Sequence, residues 1–113
     1  DNFYLVSFIE DIVADLKKAA IPLGSKKLSF AREEYLMQYL GIKPGSVSPF
    51  GLINDYEKKV KFFFDSEFMN FDIVNFHPLV NTATVSIAPS DLINLIEEHH
   101  SKVEFINMRQ FQK

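Results

Sequence analysis

The sequence predicts one α/β domain, in which a curved, mixed β-sheet of about six to seven strands packs against about three helices. Three observations lead to this fold class. Apolar residues make up 47% of the 113 residues and charged residues 24%, the balance of a globular domain with a sizeable core. Short runs of β-forming residues alternate along the chain with segments of helical periodicity. Twelve phenylalanines and no tryptophan indicate a core built on phenyl rings.

The first 41 residues are predicted to form two strands and two helices. A run of apolar and β-forming residues gives the first strand, and the change to a period of 3.6 marks the first helix. Pro22 and Gly24 end that helix, and Gly41 suits the C-terminal cap of the second. The predicted elements are a strand at 3–8, a helix from Ile9 to Ala20, a strand at 27–30 and a helix at 32–40.

The rest of the chain is predicted to be richer in strands. Leu52 and Ile53 are predicted to form a strand. The segment Asn54–Asp65 is predicted to form a hairpin, because apolar residues alternate with lysines after a turn. Pro89 suits the first position of a helix. The remaining predicted elements are a helical turn at 68–70, a helix at 90–99 and a strand at 103–108. No internal repeat or domain boundary interrupts them, so residues 1–113 are expected to form a single domain.

The segment 41–51 holds three of the four glycines and two of the five prolines. This density predicts a loop of defined shape, because glycine permits close approach to the main chain and proline fixes its neighbours. Such a loop can direct backbone N–H groups at a carbonyl or phosphate group of a ligand. The alternative is a tight connection between a helix and a strand.

A second stretch, residues 75–86, concentrates polar side chains where a strand begins. Pro78 interrupts backbone pairing beside His77, a titratable ring, and Asn81, an amide. The strand that follows is predicted to have one face for the core and one with hydroxyl groups: Ala83, Val85 and Ile87 alternate with Thr82, Thr84 and Ser86. This pattern is typical of a pocket wall. The alternative is a turn capped by Asn81 next to a half-exposed strand.

Several kinds of chemistry are not indicated by the sequence. It has no cysteine, which excludes disulfides and thiolate chemistry, and no apolar run of the roughly 20 residues that a membrane span needs. His99 and His100 are neighbours on a helix and point apart, so they do not predict a metal site. No phosphate-binding or dinucleotide-binding glycine pattern and no nucleophile elbow appear. Neither a metal nor a cofactor is therefore expected, and His77 is the titratable group left to orient a water molecule.

The net charge of −3 is not that of a typical nucleic-acid-binding protein. Basic residues are nevertheless concentrated in the first 43 residues, where a local basic face could form. The alternative is an ordinary solvated surface. The candidate phosphate contacts in this part of the chain are Lys26, Lys27, Arg32 and Lys43.

Taken together, these stretches resemble the YbaK-like, prolyl-tRNA-synthetase-associated editing domains. The strings that carry the resemblance are LSFA at 28–31, PGSVSPFGLIND at 44–55, the strand at 60–65 and FHPLVNTAT at 76–84. The similarity runs in order from about Phe3 to Ile106. The second and fourth strings are specific, whereas LSFA alone would be weak.

The resemblance implies the fold of that family and an aminoacyl-tRNA deacylase that acts in trans, with alanine on tRNA(Pro) as the expected substrate. It places the family's catalytic histidine at His77 and its G-x-x-x-P loop at Gly45 and Pro49. The loop backbone is expected to hold the aminoacyl ester, and His77 to shape the pocket. The other expected substrate-binding residues are Ser46, Val47, Ser48, Phe50, Leu79, Asn81, Thr82 and Thr84.

One feature of the family has no counterpart in these residues. The family carries an important lysine, usually followed by asparagine, upstream of the strand that matches Phe3–Phe8. No lysine here matches that motif, so we expect the chain to lack the N-terminal part of the domain. Two rival functions stay open: an inactive tRNA-binding or synthetase-associated module, and a hydrolase of other small esters. Mischarged tRNA(Pro), through its aminoacylated 3′ end, is the expected partner, prolyl-tRNA synthetase a second candidate, and the cytoplasm the expected location, without a membrane partner.

Overall fold

A computed structural model describes residues 2–9, 11–25, 27–29, 32–41, 49–76 and 85–113, with the backbone alone at Phe76 and Val85. Over these residues the protein has a three-stranded parallel sheet and a separate two-stranded antiparallel sheet. The parallel sheet has the order β1–β2–β5, with β1 at Phe3–Ser7, β2 at Val60–Asp65 and β5 at Glu104–Ile106. The second sheet pairs β3 (Val74–Phe76) with β4 (Val85–Ile87).

Helical segments connect these strands. Helix α1 spans Leu16–Leu23, α2 spans Glu33–Tyr35 and continues as a π-helix over Leu36–Leu40, and α3 spans Pro89–His99. Short 3₁₀ helices occupy Pro49–Asn54, Ser66–Asn70 and Met108–Phe111. Both Gly24 and Gly41 adopt the left-handed conformation after a helix, which glycine tolerates best.

The central strand β2 is buried on both faces of the parallel sheet. Phe62 and Phe64 belong to a first core cluster together with residues of α3, whereas Phe63 faces a second cluster that includes residues of α1. Strands of parallel sheets are commonly covered on both sides, so a continuous apolar run replaces a simple alternation. The predicted alternation with Lys59 and Lys61 therefore described only the first half of this strand.

The prediction of six to seven strands was too high for the described residues, which contain five strands in two sheets. The predicted hairpin over Asn54–Asp65 is wrong, because both neighbours of β2 come from distant parts of the chain. Leu52 and Ile53 belong to a 3₁₀ helix rather than a strand. Residues 27–29 have no strand partner, and the Ser25 hydroxyl donates to the Lys27 carbonyl instead, at 2.9 Å.

The remaining predicted elements were placed more accurately. The strand at the start of the chain, the helical turn near Phe68, the last helix and the final strand are all present, with ends that differ by a few residues. The first helix begins at Leu16 instead of Ile9, because the Asp15 carboxylate accepts hydrogen bonds from the Lys17 and Lys18 amides and caps the helix there. Ile12 is nevertheless buried, in the second core cluster.

Candidate functional site

The predicted glycine and proline loop is described only at its ends. Lys43, Gly45, Ser46, Val47 and Ser48 lie outside the described residues. On the far side of the loop, Pro49 begins a 3₁₀ helix and is buried, and Phe50 is half-buried against the first core cluster. The end of the loop is thus attached to the core.

The histidine-bearing stretch is likewise described at its flanks. His77, Leu79, Asn81, Thr82 and Thr84 lie outside the described residues. Residues 77–84 join β3 to β4, and Phe76 and Val85 are direct partners in that antiparallel pair. The two ends of the stretch therefore lie side by side. The Ser86 hydroxyl donates to Asn75 Oδ1 at 2.6 Å across the same pair.

The described residues that flank the two stretches belong to one hydrophobic core cluster. Leu40 precedes the loop 42–48 and Leu52 follows it, while Val74 precedes the stretch 77–84 and Ile87 follows it. The residues Leu40, Leu52 and Val74 are buried and Ile87 packs against them as a half-buried neighbour. The residues that flank both stretches are therefore held in place by one packed cluster.

Asn54 links two helical segments that lie before and after residues 42–48 in the chain. Its side-chain Nδ2 donates a hydrogen bond to the Leu40 carbonyl at 2.8 Å. Leu40 is the last residue of the π-helix and Asn54 the last of the 3₁₀ helix that follows the loop. The hydrogen bond therefore holds the end of the π-helix against the end of the 3₁₀ helix.

Asp55, the next residue, is part of a buried polar cluster. Its Oδ2 accepts hydrogen bonds from His100 Nε2 at 2.9 Å and from the Val60 amide at 2.8 Å, and its Oδ1 accepts from the Lys59 amide at 3.0 Å. The side chains of Asp55 and His100 are each 1% exposed. The cluster ties the start of β2 to the end of α3. Sequence reasoning missed it, since Asn54 and Asp55 were read as a turn and His100 only as a poor metal ligand.

Two of the four predicted tRNA contacts fall within the described residues. Lys27 and Arg32 are both exposed, and Arg32 Nη1 lies 3.5 Å from Glu34 Oε1 on the surface. Lys26 and Lys43 lie outside the described residues. Exposed cations are available to phosphate groups, so the geometry of Lys27 and Arg32 is compatible with the predicted role.

A polar groove of about 630 Å³ lies beside the carboxyl ends of β2 and β5. Its Arg109 donates to Glu67 through Nε and Nη2, at 3.0 and 2.9 Å, and also to Asp11 at 3.1 Å. These hydrogen bonds, first those to Glu67, raise the pKa of Arg109 above its ordinary value. None of the predicted site residues lines this groove, whose walls are Ser66, Glu67, Asn70, Asn107, Arg109 and Gln110.

In the part of the chain that the structure describes, no group of three or more His, Cys, Asp or Glu side chains is placed to hold a metal ion. None of the helices in that part is both long enough and apolar enough to span a bilayer.

Comparison with known proteins identifies relatives over most of the chain. The model of the aminoacyl-tRNA editing domain family matches residues 1–95. The prolyl-tRNA editing protein ProX of Acetoanaerobium sticklandii is 37% identical over 105 residues, covering 93% of this chain and 64% of that protein. A human protein, putative prolyl-tRNA synthetase associated domain-containing protein 1, is 32% identical over 100 residues, covering 85% of this chain and 59% of the relative. The chain thus spans about three fifths of the length of these relatives.

Solved structures share the fold at lower sequence identity. A scaffold protein from work on epitope backbone grafting by computational design superposes with a TM-score of 0.74 at 20% identity, covering 93% of this chain and 61% of that one. The crystal structure of the hypothetical protein APE2540 gives 0.66 at 18% identity, covering 90% of this chain and 63% of that one. The family match and the sequence relatives lead to one conclusion: the chain belongs to the aminoacyl-tRNA editing domain family.

Proposed function

We propose that this domain hydrolyses the ester bond of mischarged tRNA in trans, with Ala-tRNA(Pro) as its substrate. The observation that carries the proposal is the match to the editing-domain family over residues 1–95, joined by 37% identity to a prolyl-tRNA editing protein. The proposal is also supported by the residues that flank 42–48 and 77–84, because they belong to one core cluster.

The proposed reaction is a direct hydrolysis without a covalent enzyme intermediate. A water molecule attacks the carbonyl carbon of the aminoacyl ester, and the bond between that carbon and the ribose oxygen then breaks. The products are the free amino acid and tRNA with a free 3′-terminal hydroxyl. An aminoacyl ester is already activated, so the protein has mainly to orient the water and stabilise the developing oxyanion. The vicinal ribose hydroxyl can assist in this step.

Each site residue has a proposed part in that reaction. The backbone between Gly45 and Pro49, with Ser46, Val47 and Ser48, holds the ester, and His77 shapes the pocket around the amino acid. Asn81, Thr82 and Thr84 provide polar contacts to the substrate. Phe50 and Leu79 act as walls that admit alanine and exclude proline. A second site with its own size filter is needed because a difference of one or two methylene groups changes the binding free energy in a synthetase pocket by only about 1–3 kcal/mol. The synthetase therefore charges some tRNA with the wrong amino acid.

The test is a deacylation assay on the full chain with Ala-tRNA(Pro) labelled on the alanine. We expect loss of label faster than spontaneous decay, little hydrolysis of Pro-tRNA(Pro), and a large loss of rate in His77→Ala. The exposed His99 gives a matched control, since His99→Ala should keep the wild-type rate. Decay at the spontaneous rate with the wild-type chain would overturn the proposal.

A second candidate is a tRNA-binding or synthetase-associated module of the same fold without catalytic activity, which the 32% identity to a human prolyl-tRNA synthetase associated domain-containing protein favours. The module would bind tRNA(Pro) or prolyl-tRNA synthetase without accelerating deacylation.

A general esterase is a further alternative. Adding alanine methyl ester to the deacylation assay distinguishes it, because a general esterase would cleave this ester as readily as Ala-tRNA(Pro).

A further inference from the structure

We propose that the turn at residues 55–59 is an RNA-binding surface, on which an unpaired base of tRNA stacks against Tyr56 while Lys58 and Lys59 bind the neighbouring phosphates. The inference rests on the proposed function in one respect, that the partner is tRNA. It does not depend on which amino acid is removed, or on whether the ester is hydrolysed. None of these three residues is among the tRNA contacts predicted from the sequence.

Tyr56 is exposed to an extent that is unusual for an aromatic side chain. Its exposed fraction is 85%, the highest among the exposed large apolar residues of the described chain. Tyr35 and Tyr39, by contrast, are half-buried, and their ring centroids lie 5.0 and 4.9 Å from that of Phe3. The ring of Tyr56 is therefore available to a partner molecule rather than used in the core.

The turn that carries Tyr56 is fixed by hydrogen bonds to one buried residue, Asp55. The Lys58 amide donates to the Asp55 carbonyl at 3.1 Å and closes the turn. The Asp55 carboxylate accepts from the Lys59 amide at 3.0 Å and lies 2.9 Å from the buried ring of His100. Because the turn is ordered before a partner binds, little conformational entropy is lost when it binds.

The two lysines of the turn have side chains that phosphate groups can reach. Lys58 is exposed, and it makes no ion pair with the residues that the structure describes. It adopts φ +55°, a left-handed conformation that is uncommon for lysine. Lys59 Nζ lies 3.9 Å from Glu57 Oε2, but both side chains are largely exposed. Such a surface pair is weak, so a phosphate can replace the carboxylate.

An exposed aromatic ring beside two cations suits an unpaired nucleotide better than it suits an acidic peptide. Any base can stack on an aromatic ring, while the lysines attract the phosphates on either side of it. An acidic peptide would pair with the lysines but has no planar group to place on the ring. The match to the aminoacyl-tRNA editing domain family makes tRNA the RNA to test.

The first experiment measures the affinity of the full chain for uncharged tRNA(Pro) by filter binding. Tyr56→Ala should weaken binding about tenfold or more, because it removes the stacking surface. Tyr56→Phe keeps the ring and should bind within about twofold of the wild type. Ile21→Ala is the matched control, since Ile21 is 81% exposed on α1, and it should not change the affinity. Wild-type affinity in Tyr56→Ala would overturn the inference.

The second experiment repeats the measurement at several salt concentrations for the two lysines. Lys58→Gly suits the left-handed backbone and removes only the side chain, and Lys59→Ala removes the second charge. Each should reduce the slope of log affinity against log salt concentration by about one. Lys113→Ala, at the exposed last residue, should leave the slope unchanged. Wild-type slopes in both lysine variants would overturn the inference.

A third experiment identifies the kind of partner. Poly-glutamate has charge but no bases, so Tyr56→Ala should bind it as well as the wild type does. An equal loss of affinity for poly-glutamate and tRNA would indicate an acidic partner and overturn the inference. Ultraviolet crosslinking of the wild-type chain to tRNA(Pro) should attach a nucleotide to the peptide that contains Tyr56. Crosslinks confined to other peptides would also overturn it, and this measurement needs no variant to fold.

These results separate the inference from the proposed function. If the wild-type chain binds tRNA(Pro) through Tyr56 but does not deacylate Ala-tRNA(Pro), the proposed function fails and the inference stands. If it deacylates Ala-tRNA(Pro) while Tyr56→Ala binds tRNA as tightly as the wild type, the inference alone fails.

Discussion

Asp55 and His100 form a buried hydrogen-bonded pair with Nε2 and Oδ2 2.9 Å apart, although 45 residues separate them in the chain. The second ring nitrogen of His100, Nδ1, lies 2.8 Å from the Ser101 hydroxyl. A ring that carries its proton on Nε2 satisfies both contacts, since Nε2 then donates to Asp55 and Nδ1 accepts from Ser101. The pair fixes the end of α3 against the segment that follows the candidate loop, so it supports the scaffold on which the candidate site is built.

Removing the ring of this pair should destabilise the protein strongly. His100→Ala leaves the Asp55 carboxylate buried without its side-chain partner, a loss that typically costs about 1–3 kcal/mol of unfolding free energy. Urea denaturation followed by circular dichroism measures the change. His99→Ala, one residue earlier and exposed, should stay within about 0.5 kcal/mol of the wild type. Equal effects of the two replacements would show that the pair contributes little.

The two left-handed glycines should respond differently to the same replacement. Gly24→Ala puts a methyl group into open space and should cost about 1–2 kcal/mol of backbone strain. Gly41→Ala adds to that strain a contact of 2.9 Å with the Asn54 amide, so its loss of unfolding free energy should be larger. Chemical denaturation of both variants gives the difference. A Gly41→Ala variant no less stable than Gly24→Ala would mean that Asn54 moves away easily.

The side-chain cap of α1 is a separate, local contribution to stability. Asp15 Oδ1 accepts from the Lys17 amide at 2.9 Å and from the Lys18 amide at 3.3 Å. Asp15→Ala should therefore lower the unfolding free energy by about 1 kcal/mol. Asp15→Asn, which keeps an oxygen acceptor, should recover most of the loss, and the exposed Asp72→Ala should have little effect. Thermal melts of the three variants test this order.

Arg109 joins three segments of the chain through its ion pairs with Glu67 and Asp11. Arg109→Lys keeps the charge but cannot make the paired contacts of the guanidinium group with Glu67, so the melting temperature should fall at low salt. Because the pairs are exposed, the difference from wild type should shrink as salt is added. A difference that does not depend on salt would indicate packing rather than charge. Between pH 5 and 9 Arg109 itself should add no pH dependence to this difference, since its hydrogen bonds to Glu67 and Asp11 raise a pKa that already lies far above this range.

The predicted tRNA contacts can be tested within the described part of the chain. Lys27→Ala and Arg32→Ala should each weaken tRNA binding and reduce the slope of log affinity against log salt concentration by about one. Lys102→Ala, an exposed lysine between α3 and β5, is the matched control and should leave that slope unchanged. Filter binding at several salt concentrations gives the slopes. Equal slopes for all four proteins would remove Lys27 and Arg32 from the interface.

Local sequence patterns predict several secondary-structure elements of this protein correctly. The first strand, the last helix with Pro89 at its start and the glycine cap at Gly41 each follow from residues close together in the chain. Short sequence motifs likewise indicate the family. Such features can be predicted because strand and helix periodicity, proline and glycine act over a few residues.

Long-range partners were decided only by the tertiary structure. The hairpin at Asn54–Asp65 was a reasonable local prediction, yet β2 pairs with β1 and β5, from the two ends of the chain. Asp55 meets His100, and Asn54 closes onto Leu40, for reasons that no pattern of neighbouring residues contains. The sequence by itself determined the periodicities, the caps and the family, because these depend on neighbours along the chain. Only packing around a common core selects which distant polar groups face each other when they are removed from water.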